Sequence, residues 1–522
     1  MNAEMQMDAF PPVPQSLGEC IAIDRELRQV LVDPKRVDDV HFLTWLDRCR
    51  ASGIALHPIP TELDVISKAR QNGGRVAVLG SDDSIDVSLK TRGAALELLA
   101  QASRYRASDI HILMKGTHAE VQFRIKGELR VAMRLPQDEA EGIVRAFYQG
   151  IAVVKAASYI PLDVQNAQIS GEVLDGTALS SVRIVRGPSY PVDQGGGFMV
   201  LRLQYRGFSA GAVEKHTALP LPRTPAGRIN LEAMGYTAAQ AARQEHMQDA
   251  SSGIVIYTGP TGSGKTTTIN EMSKQRARLA PGRRQIAIEE PIEYPQEWAV
   301  QMVISNSGVE NMFAQYLRAA LRMDPDDIFF GEIRDPDCGV AVYEAALTGH
   351  FIRTTMHTPD AFTVPARLEI MDRERLPPRL TCDSKLLRGI TAQRLVPRLC
   401  PHCSVKLIGK HESKAPRHLW EALITYGDLS EVRIRGEGCP NCSFDGLRDR
   451  VVIAEVVQTD STLMADFINH GTDVARRNFR ARFDTDNSIL DSAMRRVLVG
   501  EVDPLSLADF VDTIVPFDQV NQ

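Results

Sequence analysis

Gly259-Pro260-Thr261-Gly262-Ser263-Gly264-Lys265-Thr266 satisfies the pattern GxxxxGK[ST] at every fixed position. An apolar run, Ile254-Val255-Ile256-Tyr257, precedes it, and a helix-compatible run over residues 267–278 follows. The segment therefore stands between an expected strand and an expected helix, the context its chemistry needs. The glycines let backbone amides fold around phosphate oxygens, and the new helix aims its N-terminal dipole at the anion. Lys265 is placed to face the β- and γ-phosphates, and Thr266 to reach Mg²⁺ through its hydroxyl. The competing reading, a tight strand-to-helix turn without a ligand, is disfavoured by the flanks. The stretch predicts binding of a nucleoside triphosphate.

In an open parallel sheet, ligands sit beyond the carboxyl ends of the strands. Candidate strands at residues 254–257, 285–288, 328–330 and 351–356 end respectively on the phosphate loop, Glu289-Glu290, Gly331-Glu332 and His357. One polar strand end means little, because such ends are often simply solvated. Together they predict a hydrolysis site in which glutamates orient the attacking water or hold Mg²⁺ through its water shell. Which of Glu289, Glu290 and Glu332 acts as base stays open at this level. His350 precedes His357 by seven residues, ~23 Å along a straight strand and on its opposite face. His357 is the candidate, and His350 reads as structural or interfacial.

A chain of 522 residues with 43% apolar content can build several domains with sizeable cores. Its net charge of −6 argues against a general nucleic-acid binder. Arg373, Arg375 and Arg379 could still form a local basic patch, so a nucleic-acid-translocating motor is the alternative reading. No apolar run reaches the ~18–20 residues that cross a bilayer. Residues 1–16 carry acids and prolines rather than a basic start and an apolar stretch. A cytoplasmic location is expected, with any membrane role exercised through a partner.

Of eight cysteines, Cys20, Cys49, Cys338 and Cys382 stand alone and read as buried small hydrophobes. The others form two pairs, Cys400-Pro-His-Cys403 and Cys439-Pro-Asn-Cys442, separated by 35 residues. In a cytosolic protein such a double pair reads as a tetrahedral Zn²⁺ site clipping together the ends of a subdomain over residues 400–442. A redox pair or four unpaired thiols are the competing readings, and His402 is a possible substitute ligand.

Residues 1–90 show short apolar runs and no recognisable chemistry, leaving a possible partner-docking region. Helical periodicity begins at Arg92 and ends near Arg106, and alternating segments at 109–114, 121–125, 179–185 and 198–203 predict strands. A compact α+β domain is expected over 91–205. Residues 206–230 read as a linker, most clearly at Leu219-Pro220-Leu221-Pro222-Arg223-Thr224-Pro225. A helical stretch near 231–247 then completes a linker and lead-in over 206–248, and the nucleotide-binding domain occupies 249–522.

These segments together resemble the secretion ATPase superfamily of type II secretion and type IV pilus assembly. The phosphate loop with its run Thr266-Thr267-Thr268 matches one signature. Ile288-Glu289-Glu290-Pro291-Ile292-Glu293-Tyr294 is similar to the family's aspartate box, with Glu290 where the family usually has Asp. The segment from Leu317 through Asp324-Pro325-Asp326-Asp327 to Gly331-Glu332-Ile333-Arg334-Asp335 resembles its atypical Walker B. Thr348-Gly349-His350 through His357-Thr358 resembles its histidine box. Gln393-Arg394-Leu395 leads into the first cysteine pair as in that family, and Ala107-Ser108-Asp109-Ile110-His111 is similar to its second N-terminal domain.

The resemblance implies a RecA-like α/β domain with a parallel sheet and a zinc-clipped insertion, preceded by a smaller α+β, PAS-like domain. It implies ATP as substrate with Mg²⁺, bound across residues 259–267, and Zn²⁺ at the cysteines. It also implies that Arg124, Arg183 and Arg202 approach the phosphates. The family usually carries two arginines before an Asp-Gly here, whereas this chain has Gln122 in the first place, Arg124 in the second and Lys126 for the Asp. A homohexamer at the cytoplasmic face of the inner membrane, driving a platform protein, completes the expectation. The zinc pairs point to the assembly and secretion branch, with a conjugation-type relative as the alternative.

Overall fold

The computed structural model describes residues 13–14, 17, 20–24, 29–37, 39–51, 54, 56–61, 63–71, 81–156, 158–174, 177–207, 219–227, 231–304 and 312–520. Contacts divide the chain into two units, Met1–Lys90 and Thr91–Gln522. In the smaller unit, β1 (Ile21–Asp24) pairs antiparallel with β2 (Gln29–Val32), which pairs parallel with β3 (His57–Pro60). The helix Val40–Ala51 contributes Phe42, Trp45 and Leu46 to a core shared with Val30 and Val32.

The larger unit holds two seven-stranded sheets. The first comprises β4 (Asp109–Met114), β5 (His118–Ile125), β6 (Glu128–Pro136), β7 (Val154–Lys155), β8 (Gln165–Ser170), β9 (Leu179–Pro188) and β10 (Gly197–Tyr205), antiparallel in the order β6-β5-β4-β10-β9-β8-β7. The helix Ser81–Arg104 begins well before the expected Arg92. Its apolar stripe, Ala95, Leu98, Leu99 and Ala102, is buried with the sheet residues Ile110, Ile112 and Val121. Periodicity reports packing rather than helix length.

The second sheet comprises β11 (Gly253–Thr258), β12 (Gln285–Glu289), β13 (Ala299–Val303), β14 (Asp327–Glu332), β15 (Phe351–Met356), β16 (Leu387–Leu399) and, beyond a small hairpin of β17 (Val405–Lys406) and β18 (Arg433–Ile434), β19 (Leu447–Gln458). Its order is β13-β12-β14-β15-β11-β16-β19, parallel throughout except that β19 runs antiparallel to β16. Helices between these strands make it an α/β layer with its ligand edge at the carboxyl ends. The chain leaves β11 on one side of β15 and returns to β12 across β14, the kind of strand-order reversal that opens a crevice.

The expected lead-in helix is two helices, Leu231–Met234 and Ala238–Gln248. Thr237 starts the second, accepting from the Gln240 amide while Gln240 reaches back to the Thr237 amide. Much of the expected linker, residues 208–218 and 228–230, lies outside the described residues. Leu113, Val185, Phe198 and Val200 of the antiparallel sheet share one buried cluster with Ile286 and Val300 of the parallel one. Among the described residues, no helix is long and apolar enough to cross a membrane.

Candidate active site

β11 ends at the glycine-rich loop, and the helix Lys265–Leu279 begins at the motif lysine. The loop is closed from behind by β16. Gln393 Nε2 donates to the Ser263 carbonyl at 2.7 Å, and its Oε1 accepts from Tyr236 Oη at 2.8 Å and Thr268 Oγ1 at 3.2 Å. Gly259 has φ +144°, and a Cβ there would collide with the Gln393 carbonyl, so only glycine fits. Lys265 is buried and donates through Nζ to the carbonyls of Gly259 and Pro260, both at 3.0 Å. Burial pulls its pKa down, opposed by the Glu332 carboxylate.

A cavity of about 390 Å³ opens in front of this loop. Residues 261–267, Glu289, Glu290, Glu332 and His357 all line it, together with Glu293 and Arg334. The four strand ends named from sequence therefore meet in one crevice.

The acids differ in setting. Glu289, at the end of β12, is 4% exposed and accepts from Gln301 Nε2 at 2.9 Å. Desolvation pushes its carboxyl up to about 7, partly offset by the Gln301 bond. Glu290 instead pairs with Arg334 at 3.0 Å. Glu332, at the end of β14, lies 3.5 Å from His357 Nε2. Thr267 Oγ1 shares a 2.8 Å hydrogen bond with Tyr294 Oη. His350 bonds instead to Thr348 and the Ala345 carbonyl and does not line the cavity.

The three arginines do not line this cavity in the single chain. Arg124 pairs with Asp324, and with Asp326 at 2.8 Å. Arg202 bonds Asp109 at 2.8 Å and Asp324 at 3.1 Å. Arg183 stands exposed on β9. The departure at Gln122 has a local reason. Gln122 is buried, accepts from the equally buried Arg284, and donates to Glu120 at 2.6 Å. An arginine there would press one guanidinium against another without solvent to screen them.

The four motif cysteines converge where β16 and β19 run out of the sheet, and their Sγ atoms lie within 4.8 Å of one another. The separations Cys400–Cys439, Cys403–Cys442 and Cys439–Cys442 are each 3.8 Å. Zn–S bonds of ~2.3 Å in a tetrahedron require S···S edges of ~3.8 Å. The Cys442 sulfur accepts the amides of Cys439 at 3.2 Å and Gly446 at 3.1 Å. Such bonds stabilise a thiolate, and the donor set fits zinc. His402 is not part of the cluster.

Sequence alone assigns no role to Gln393, Tyr236, Gln301 or Arg334. The support that Gln393 gives the loop depends on β16 lying beside β11. Gln301 sits on β13, a strand that went unpredicted.

A glycine-rich loop between strand and helix, with acids at neighbouring strand ends, defines a P-loop nucleotide-binding protein. The family model described as "Type II/IV secretion system protein" matches residues 212–510. The chain is 33% identical over 377 residues to the type II secretion system protein E of Dickeya dadantii (strain 3937), covering 72% of this chain and 66% of that protein. It is 31% identical over 415 residues to the type II secretion system ATPase E of Vibrio cholerae, covering 77% and 72%. With the type IV pilus assembly ATPase TfpB of Acinetobacter baylyi it shares 30% over 369 residues, covering 70% and 56%. The chain belongs to the type II/IV secretion system protein family. It spans about two thirds of the length of the first of these relatives.

Proposed function

We propose that this protein is an ATP-hydrolysing motor of type IV pilus assembly or of type II-like protein secretion. The observation that carries the reading is the convergence of Lys265, Glu289, Glu332 and His357 on one cavity at the strand ends. The relatives named as secretion and pilus ATPases support the process.

In this reading Lys265 exchanges its two loop carbonyls for phosphate oxygens, and the first amides of its helix complete the cradle. Thr266 would hold Mg²⁺, which supplies charge neutralisation at the phosphates. Glu289 is the base. With its pKa near 7 it accepts a proton from water far more readily than an ordinary carboxylate, while Gln301 keeps its orientation. Glu290 is held back by Arg334, and Glu332 with His357 positions the attacked group. Arg124, Arg183 and Arg202 would reach the phosphates only after the antiparallel domain shifts, which is the motion that a homohexameric ring would pass to an inner-membrane platform protein. The antiparallel domain is read as PAS-like and the parallel-sheet domain as RecA-like. Cys400, Cys403, Cys439 and Cys442 are read as holding a structural zinc.

Phosphate release by the purified chain tests this. Lys265→Ala should abolish turnover with the thermal melt unchanged, and retained turnover would remove the loop from the mechanism.

A further inference from the structure

A second cavity, of about 660 Å³, lies between the antiparallel domain, residues 222–226 and the parallel-sheet domain. It shares no lining residue with the phosphate-loop cavity. Six cationic side chains line it against two carboxylates. Arg134 is neutralised by Glu120 at 3.0 Å and Lys274 by Glu271 at 2.6 Å. Lys115, Arg223, Arg283 and Arg284 have no carboxylate within ion-pair reach among the described residues.

Arg284 is only 3% exposed, and its Nε has no hydrogen-bond partner. Its guanidinium touches only the neutral Gln122 amide on this side. Burial pushes both Lys115 and Arg284 down, the latter to about 10, and Lys115, half-buried, donates through Nζ to the Glu297 carbonyl at 3.2 Å. A buried cation with an unmet donor is costly unless something anionic completes it. Trp298 and Tyr190 also line the space, offering aromatic rings beside the charges. The volume suits a molecule of nucleotide size.

We propose that this cleft is a second ligand site, for a phosphate-bearing molecule with an aromatic base. Lys115, Arg223, Arg283 and Arg284 take the phosphates, and the rings of Trp298 and Tyr190 take the base. The occupant would also bear on hydrolysis. Gln301 lines this cleft and holds Glu289 at 2.9 Å, while its carbonyl accepts from the Tyr190 amide at 2.9 Å. Trp298 donates to Ser273 on the phosphate-loop helix at 3.0 Å. This coupling rests on Glu289 as base; the binding itself does not.

Calorimetric titration of the full chain carrying Lys265→Ala separates the two sites, with guanosine diphosphate and inorganic pyrophosphate as probes. The expected result is one guanosine diphosphate per chain, bound more tightly than pyrophosphate and weakened at least about tenfold by Arg223→Glu with Arg283→Glu. Both arginines are exposed, and Arg223→Gln alone serves if the double variant melts early. No binding by the Lys265→Ala chain, or affinity unchanged by the charge reversal, would overturn the site. Equal affinity for the two probes would overturn the role given to the rings. Turnover retained in Lys265→Ala would sink the proposed function and leave this result standing.

Discussion

Gln301 Nε2 donates to Glu289 Oε1 at 2.9 Å across the neighbouring parallel strands β13 and β12. The bond favours the ionised carboxylate, against a desolvation that holds the group near 7. Gln301→Ala removes the favourable part, so the Glu289 pKa should rise further. A base works deprotonated, and the acid limb of kcat/KM should therefore move to higher pH. A limb that stays in place would take Glu289 out of the base role.

The same shift has a sign in stability. The folded-state pKa of Glu289 lies above its ordinary 4.5, so the folded chain binds the extra proton between about 4.5 and 7. Stability from this group is present at low pH and is lost as pH rises through 7. The cost above that pH is about 3 kcal/mol. Glu289→Gln should melt higher than the unaltered chain at pH 8 and lose that advantage near pH 5. Differential scanning at the two pH values checks this.

The cysteine cluster predicts one zinc per chain by metal analysis of the purified protein. Cys400→Ser or Cys439→Ser should lower bound zinc and lower the melting temperature. A strong chelator should do the same to the unaltered chain. Metal-free protein with an unchanged melt would reject the site.

Arg124, 6% exposed, joins the antiparallel domain to Asp324 and Asp326 of the other. Asp324 also takes Arg202 and has φ +56°, a backbone conformation that few residues other than glycine adopt. Removing Arg124 takes one of two arginines from Asp324 and the side-chain cation from Asp326, both carboxylates being only partly exposed, a loss approaching the about 3–5 kcal/mol of a broken buried pair. Arg124→Ala should destabilise strongly, and adding Asp324→Ala should cost much less than its own single effect. Additive losses in a double-mutant cycle of melts would deny the coupling.

The strands that carry the site were legible because each is a short apolar run stopped by a polar group. Residues 351–356 read as a strand from sequence and are β15 in the structure. β13, β16 and β19 were not legible. Ala299-Val300-Gln301-Met302-Val303 alternates buried apolar residues with a glutamine that matters only because Glu289 lies beside it. The arginines illustrate a different limit. Resemblance places Arg124 and Arg202 near phosphates, while the single chain gives them to Asp324 and its neighbours. A local motif specifies a side chain, and the partner it meets depends on how domains sit. Two acids adjacent in sequence, Glu289 and Glu290, were separable only by burial and by Arg334.

ATP binding and turnover by Glu289→Gln, measured side by side, decide whether hydrolysis occurs at the strand ends with Glu289 as base. ATP affinity should stay within about threefold of the unaltered chain while turnover falls by at least about a hundredfold, the scale of a lost general base. Near-normal turnover with intact binding would contradict that role for Glu289.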